Sequence, residues 1–382
     1  MCGILLGLYL ARLGLSPARM GMVVGAGLAG NALAMMFATV RGDALGRRRM
    51  LLGLALLSAL GGIAASMASD ALALGLAALF GMLNGMGRDR GASLVIEQAI
   101  LPATTDDQGR TRVVAWYNVL QDVGHALGGL CAAVPEILRR QLAVGDVESI
   151  RFTFLGYAAL MGLVAMFALR LSPNVEFQGE HARVEVSPET KRIVWRISSL
   201  FVLDSLGGGF LTTALLSFFF FERYGASEAV IGLLFFGARI LNAVSHLAAA
   251  WLAKRIGLVN TMVFTHIPSS ILLASVAFAP SFPIAALLFL LREGLVEMDV
   301  PTRQSYVMAV VRPTERLYAS GVTSLVRMSA WAVAPTFAGL FMQSALAVPL
   351  FIGAGFKITY DILLWGAFRR LKPPEEGGPT AS

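Results

Sequence analysis

The chain has 382 residues, 56% of them hydrophobic and 14% charged, with a mean hydropathy of +0.70. That is about half the charge of an ordinary soluble domain and too much apolar surface for one, so the sequence describes a polytopic helical membrane protein. The net charge of +7 is dispersed over many short polar stretches, which argues against a nucleic-acid partner, and Cys2 and Cys131 are too few and too far apart for a disulfide framework or a metal site.

Residues 3–13 are apolar, but eleven residues at ~1.5 Å each cover only about half of a ~30 Å hydrocarbon core, so helix 1 is expected to be incomplete. Helix 2 is expected over about 18–39, helix 3 over 50–68, and helix 4 over 71–101 with an interruption at Arg88-Asp89-Arg90. Helix 5 follows at about 111–134 and helix 6 at 150–170, closing an N-terminal bundle of residues 1–171. Residues 172–193 carry Pro and charge without sustained periodicity and read as a cytoplasmic linker. The C-terminal bundle, 194–368, holds helices 7 (194–221), 8 (228–252), 9 (258–279), 10 (283–311), 11 (315–342) and 12 (348–368). Residues 369–382, rich in Pro, Gly and Glu, read as a disordered tail. Lys and Arg in loops assigned to the inside outnumber those outside by about three to one, which places both termini and the linker in the cytoplasm.

One motif is a decoy. Gly25-Ala-Gly-Leu-Ala-Gly30 matches the dinucleotide fingerprint, but that fingerprint needs a strand before it and a second strand ending in an acid about twenty residues on. Here an unbroken apolar run follows, so close helix packing is the better reading and no cofactor is expected.

Between helices 2 and 3 stands the polar stretch Arg41-Gly-Asp-Ala-Leu-Gly-Arg-Arg-Arg49, a tight cytoplasmic loop by its arginines. Its Asp43-x-x-Gly46-Arg47-Arg48-Arg49 pattern resembles the signature loop of the major facilitator superfamily, although Thr39 and Ala44 stand where the family has Gly and a basic residue. An offset of 211 carries Asn31 onto Asn242, Asp43 onto Lys254, Leu45 onto Ile256 and Gly46 onto Gly257, the internal repeat expected of a transporter built from two similar halves. The Gly14-Leu-Ser-Pro17 turn resembles the end of a first facilitator helix, from which Met1 is expected to be a late or misassigned start. The stretch Met298-Asp-Val-Pro-Thr-Arg-Gln-Ser-Tyr306 resembles a poorly characterised prokaryotic group of facilitators, which implies a fold, a transport role and a prokaryotic inner membrane but no substrate.

An ionisable side chain at the bilayer centre costs at least ~2.5 kcal/mol, so each one must face protein or a water-filled cavity. Arg88, Asp89 and Arg90 with Glu97 form one group in helix 4; Arg292, Glu293, Glu297, Asp299 and Arg303 form another in helix 10, with Asp89 and Asp299 at an offset of 210. At about 100° per residue, Arg292, Asp299 and Arg303 share one helical face and Glu293 and Glu297 another. One stripe suits a cavity and the other neighbouring helices; both could instead be structural ion pairs. Asp204 precedes Gly207-Gly-Gly209, a run suited to bending or to close packing. Asp122 and His125, Arg239, Arg327 (one turn from Trp331) and Asp361 are isolated charges.

The family resemblance implies substrate between the halves, lined by helices 1, 4, 7 and 10. It nominates Arg88, Asp89, Arg90, Asp204, Arg292, Asp299 and Arg303 for substrate or protons; Asp122, His125, Arg239 and Arg327, as charges inside apolar helices, are secondary candidates on the residues alone. It nominates Asp43, Gly46, Arg47 and Arg48 as a cytoplasmic gate tying helix 2 to helix 11. The expectation is an all-α monomeric secondary transporter with two six-helix bundles, twelve nominal helices and no catalysis. Its solute is small, its coupling is to protons, and the internal arginines favour an anionic or zwitterionic cargo. Efflux of amphipathic compounds and a non-transporting receptor or scaffold are the alternatives.

Overall fold

The structure is a computed structural model that describes residues 1–87, 91–101, 107–176, 186–300, 302–303, 307, 311–312 and 315–368. Among these the regular structure is helical throughout, as hydrocarbon demands: without water, each backbone N–H and C=O must find its partner inside its own segment. The helices are α1 (Cys2–Arg12), α2 (Pro17–Leu45), α3 (Arg47–Met67), α4 (Ala71–Gly81), α5 (Ser93–Ile100), α6 (Asp107–Leu130), α7 (Val134–Leu142) and α8 (Asp146–Leu169). They continue with α9 (Pro188–Gly209), α10 (Thr213–Tyr224), α11 (Glu228–Ile256), α12 (Leu258–Val276), α13 (Phe282–Val296), α14 (Arg316–Ser344) and α15 (Val348–Phe368). Among the described residues eight stretches are long and apolar enough to cross a membrane, with Pro188–Tyr224 counted as one.

Local chemistry sets several helix starts. Asp70 accepts the N–H groups of Leu72 and Ala73 at 3.0 Å, and the hydroxyls of Ser187 and Thr212 accept those of Thr190 and Leu215 at 3.3 Å. Pro17 and Pro188 follow serines at the first helical position, where a missing N–H costs nothing.

The sequence repeat is a structural repeat. Adding 211 to the first residues of α1, α2, α3 and α4 gives 213, 228, 258 and 282, the first residues of α10, α11, α12 and α13. The loops agree as well: Gly46 and Gly257 turn the chain with φ of +94° and +86°, a region that side chains avoid. Asn31 and Asn242 are both buried. In this register the eleven-residue α1 is the counterpart of the twelve-residue α10, which in the second half follows α9.

Four expected helices are broken. Helix 4 is α4 and α5 around an irregular passage in which Met82, Gly87 and Gly91 take positive φ and Asn84 Oδ1 accepts the Met86 N–H at 2.8 Å. Helix 5 continues through a 3₁₀ turn at Cys131–Ala133 into α7, which starts at Val134 with Pro135 in its first turn. Helix 7 is α9 and α10, parted after Gly207-Gly208-Gly209 and restarted by the Thr212 cap. Helix 10 turns at Glu297 and Met298, where the proline at 301 cannot donate to the Glu297 carbonyl, and Val300 N–H bonds to that carbonyl instead. The single helical face drawn through Arg292, Asp299 and Arg303 is therefore corrected: the rotation is not continuous across the turn.

The fingerprint glycines lie in α2 and serve packing. A Cβ on Gly27 or Gly30 would collide with the carbonyls of Leu83 or Leu79, so the glycines let α2 approach the α4 segment backbone to backbone.

The chain forms two compact units. The first comprises Met1–His181, Thr212–Phe236 and Ala332–Leu346. Within it α1 meets α10 where Gly7 abuts Ala214, and α2 meets α14 where Gly21 abuts Pro335 and Gly339. Four charges tie the end of α1 to α7, α8 and α11: Arg12 to Glu228 at 3.0 Å and to Asp146, and Arg139 to Glu228 at 2.7 Å and Asp146 at 3.2 Å. The second unit comprises Ala182–Leu211, Gly237–Trp331 and Ala347–Ser382. Its core gathers Val194, Ile197 and Phe201 of α9, Met262 and Val263 of α12, and Tyr360 and Leu364 of α15.

Candidate functional site

Inside the second unit, six ionisable side chains from α9, α12, α15 and the helical turn after α13 form one connected line. Asp204 is 5% exposed; its Oδ2 accepts from Arg303 Nη1 at 3.1 Å and its Oδ1 from Lys357 Nζ at 2.9 Å. Arg303 Nη1 also donates to Asp299 Oδ2 at 2.5 Å. At the other end Lys357 Nζ lies 3.2 Å from His266 Nε2, and His266 Nδ1 lies 3.0 Å from both carboxylate oxygens of Asp361. Phe201 lies under the Arg303 guanidinium at 5.2 Å, and Tyr360 meets the His266 ring edge-on at 6.2 Å.

These contacts decide the histidine tautomer. A lysine ammonium has only donors, so Nε2 must accept; the proton then sits on Nδ1 and is donated to Asp361. A second proton on Nε2 would set two donors against each other. Asp204 Oδ1 waits 3.9 Å from Nε2, so protonating His266 exchanges its Lys357 contact for Asp204. The line can thus convert one proton into a change of partners between α9, α12 and α15.

Of the sequence-predicted site residues, Asp204, Asp299 and Arg303 come together in this line. Arg292 is buried and turned to Glu293. Arg327 lies with its guanidinium carbon 5.1 Å over the Trp331 ring. Arg239 is half-buried on α11. In the first unit Asp122 is exposed, while His125 lines a cavity of about 510 Å³ with Asn31, Asn84, Glu97, Tyr117 and Tyr157, where the Tyr117 hydroxyl donates to Glu97 at 2.5 Å. Arg88, Asp89 and Arg90 lie outside the described residues. Sequence reasoning missed His266 and Lys357 and left Asp361 isolated. The signal was present: Lys357 and Asp361 stand one turn apart in an otherwise apolar helix, and a mid-membrane charge is a functional pointer by default.

The arginine loop is organised by a residue the sequence reading did not single out. Glu176 accepts the backbone N–H of Arg47 at 2.6 Å and of Arg48 at 3.3 Å, binding the start of α3 where the helix dipole favours an anion. Asp43 accepts from Arg47 Nε at 2.7 Å, Arg47 Nη1 donates to the Ala99 carbonyl at 3.3 Å, and Arg48 donates to the Leu169 carbonyl. These partners all belong to the first unit. In the second unit, outside the spans, the Thr190 hydroxyl, with the Ser187 N–H (2.7 Å) and hydroxyl (3.1 Å), holds the Glu315 carboxyl below the usual carboxylate range.

The family model for the Major Facilitator Superfamily matches residues 1–335. Among curated proteins, the uncharacterized membrane protein YJR124C of Saccharomyces cerevisiae is 24% identical over 392 residues, covering 94% of this chain and 88% of its own length. Among solved structures, the nucleoside transporter NupG is similar with a TM-score of 0.72 at 15% identity, covering 96% of each chain. The inward-open xylose transporter XylE from E. coli matches with a TM-score of 0.71 at 13% identity, over 98% of this chain and 96% of that one.

Proposed function

The chain belongs to the major facilitator superfamily, and on that premise we propose that it is a proton-coupled secondary transporter of a small anionic or zwitterionic solute. The two pseudo-symmetric halves rock about a midplane site, both termini face the cytoplasm, and the working unit is a monomer. One observation carries the coupling: the buried line Asp361–His266–Lys357–Asp204–Arg303–Asp299. Removing charges from water is expensive, and such a network is weak evidence for stability as such. Its value here is that His266 sits between a cation and two carboxylates and must change partners when it takes a proton.

Uptake into proteoliposomes tests this. The purified chain is reconstituted with the pH dye pyranine inside and offered gluconate, lactate, sorbitol and uridine. The expected result is uptake accompanied by proton movement that disappears in His266→Gln. Uptake without proton movement, or with proton movement unchanged in that variant, contradicts the coupling assignment while leaving transport in place.

A further inference from the structure

We propose that Arg327, lying on the face of Trp331, receives the carboxylate of a small organic monoanion, with the Trp331 indole N–H as the second donor. This rests on the transport reading above and deepens it by naming the substrate class. The two residues stand one turn apart on α14, the guanidinium carbon 5.1 Å from the ring centroid. Stacking answers the face of a guanidinium, because the ring offers π-density and no in-plane lone pair. It leaves the in-plane N–H groups to find acceptors elsewhere, and Arg327 Nε is buried with none. Trp331 Nε1, a donor only, is buried beside it in the same condition. The other two cations of the unit's charge cluster are spent: Arg303 on Asp204 and Asp299, Lys357 on Asp204 and His266. Among the described residues no carboxylate lies within ion-pair distance of Arg327. Two unanswered donors, one of them charged, on one edge of one helix define an oxyanion site.

The backbone opposite comes close to that edge. A methyl group at Gly208 of α9 would stand 3.0 Å from the indole nitrogen, so a side chain there would crowd the N–H.

Charge counting selects a monoanion. Asp204 and Asp299 are paired with Arg303 and Lys357, which leaves Arg327 for a single carboxylate. Arg327 is within electrostatic range of Arg303, Asp204 and Asp299. Neutral His266 faces Lys357, Tyr360 and Asp361 from α15, Asp204 from α9, and Arg303 and Arg292 from the α13 segment. A phosphate dianion would leave an uncompensated charge in a low-dielectric site.

Thermal unfolding of the full chain in lipid nanodiscs, with no gradient present, reads binding separately from transport. The probes are acid and alcohol pairs that differ only at the carboxylate: gluconate and sorbitol, lactate and propane-1,2-diol, benzoate and benzyl alcohol, with glycerol 3-phosphate as the dianion. At least one acid is expected to raise the melting temperature, more at acid than at alkaline pH, while its alcohol does not. Arg327→Gln should weaken that acid's apparent affinity by roughly tenfold to a hundredfold, Arg327→Lys should weaken it less, and Gly208→Ala, which covers the indole N–H, should weaken it several-fold without touching the arginine. The proposal is overturned if no acid stabilises the protein, if alcohols act as well as acids, if glycerol 3-phosphate alone is effective, or if Gly208→Ala and Arg327→Gln both bind normally. Proton-coupled uptake of a neutral solute that is unaffected by Arg327→Gln would overturn this inference alone and leave the transport reading standing.

Discussion

The two halves of the repeat share a backbone and divide their chemistry. α1 to α4 and α10 to α13 start in one register, and Gly46 and Gly257 make the same turn. Subtracting 211 from His266, Arg303 and Asp361 gives the apolar Ala55, Ala92 and Ile150, whereas Asp299 and Lys357 fall on Arg88 and Asp146, so the copies share some charged positions and differ at others. Charges with described partners in the first unit stand largely at helix ends, as in Asp43–Arg47–Glu176 and Arg12–Arg139–Asp146–Glu228, where water and backbone dipoles share the cost of charge. The second unit places its charges within the helices. Duplication supplies a scaffold, and each copy then carries charges of its own.

The largest effect that could break this contrast comes from the interior line. Asp204→Ala strands Arg303 and Lys357 and should cost about 3–5 kcal/mol in the unfolding free energy, whereas Asp43→Asn at the loop should cost less than about 1 kcal/mol. Equal losses in denaturation experiments would erase the distinction between buried network and surface latch. Next in size, Gly46→Ala and Gly257→Ala should each cost about 1–2 kcal/mol, since both force a side chain into positive φ. Markedly different melting temperatures for the two variants would show that the repeat is not energetically equivalent.

The fold was legible because membrane helices follow from apolar length and the loops from arginine and glycine. The register was legible from Asn31/Asn242 and Gly46/Gly257 alone. What failed was continuity. The helical wheel through Arg292, Asp299 and Arg303 assumed an unbroken helix, and the turn at Glu297–Met298 separates Arg292 from the other two, which pair with each other and with Asp204. His266 was invisible for another reason: its partners stand 62 and 95 residues away by sequence number at Asp204 and Asp361, and no local pattern encodes that meeting. Glu176 escaped because a loop carboxylate at a helix start has no spacing signature.

Smaller effects sharpen the contrast. His266→Gln keeps a donor toward Asp361, so unfolding should shift by less than about 1 kcal/mol while the pH dependence of uptake is lost. At the water-facing end, Glu315 is held below the usual carboxylate range by Thr190 and Ser187. Its contribution is present above the ordinary carboxylate pKa and is lost as pH falls through the lower folded value. Glu315→Gln should flatten the acid side of the stability profile and leave the neutral region little changed.

The central claim is that His266 accepts from Lys357 at rest and turns to Asp204 when protonated. Side-chain ¹⁵N spectra of histidine-labelled chain in nanodiscs test it most directly, with the His266 signal identified by its loss in His266→Gln. The account predicts the Nδ1–H tautomer at neutral pH and conversion to imidazolium over the acid range in which uptake changes. An Nε2–H tautomer at neutral pH, or a His266 signal that stays constant while uptake responds to pH, would contradict it.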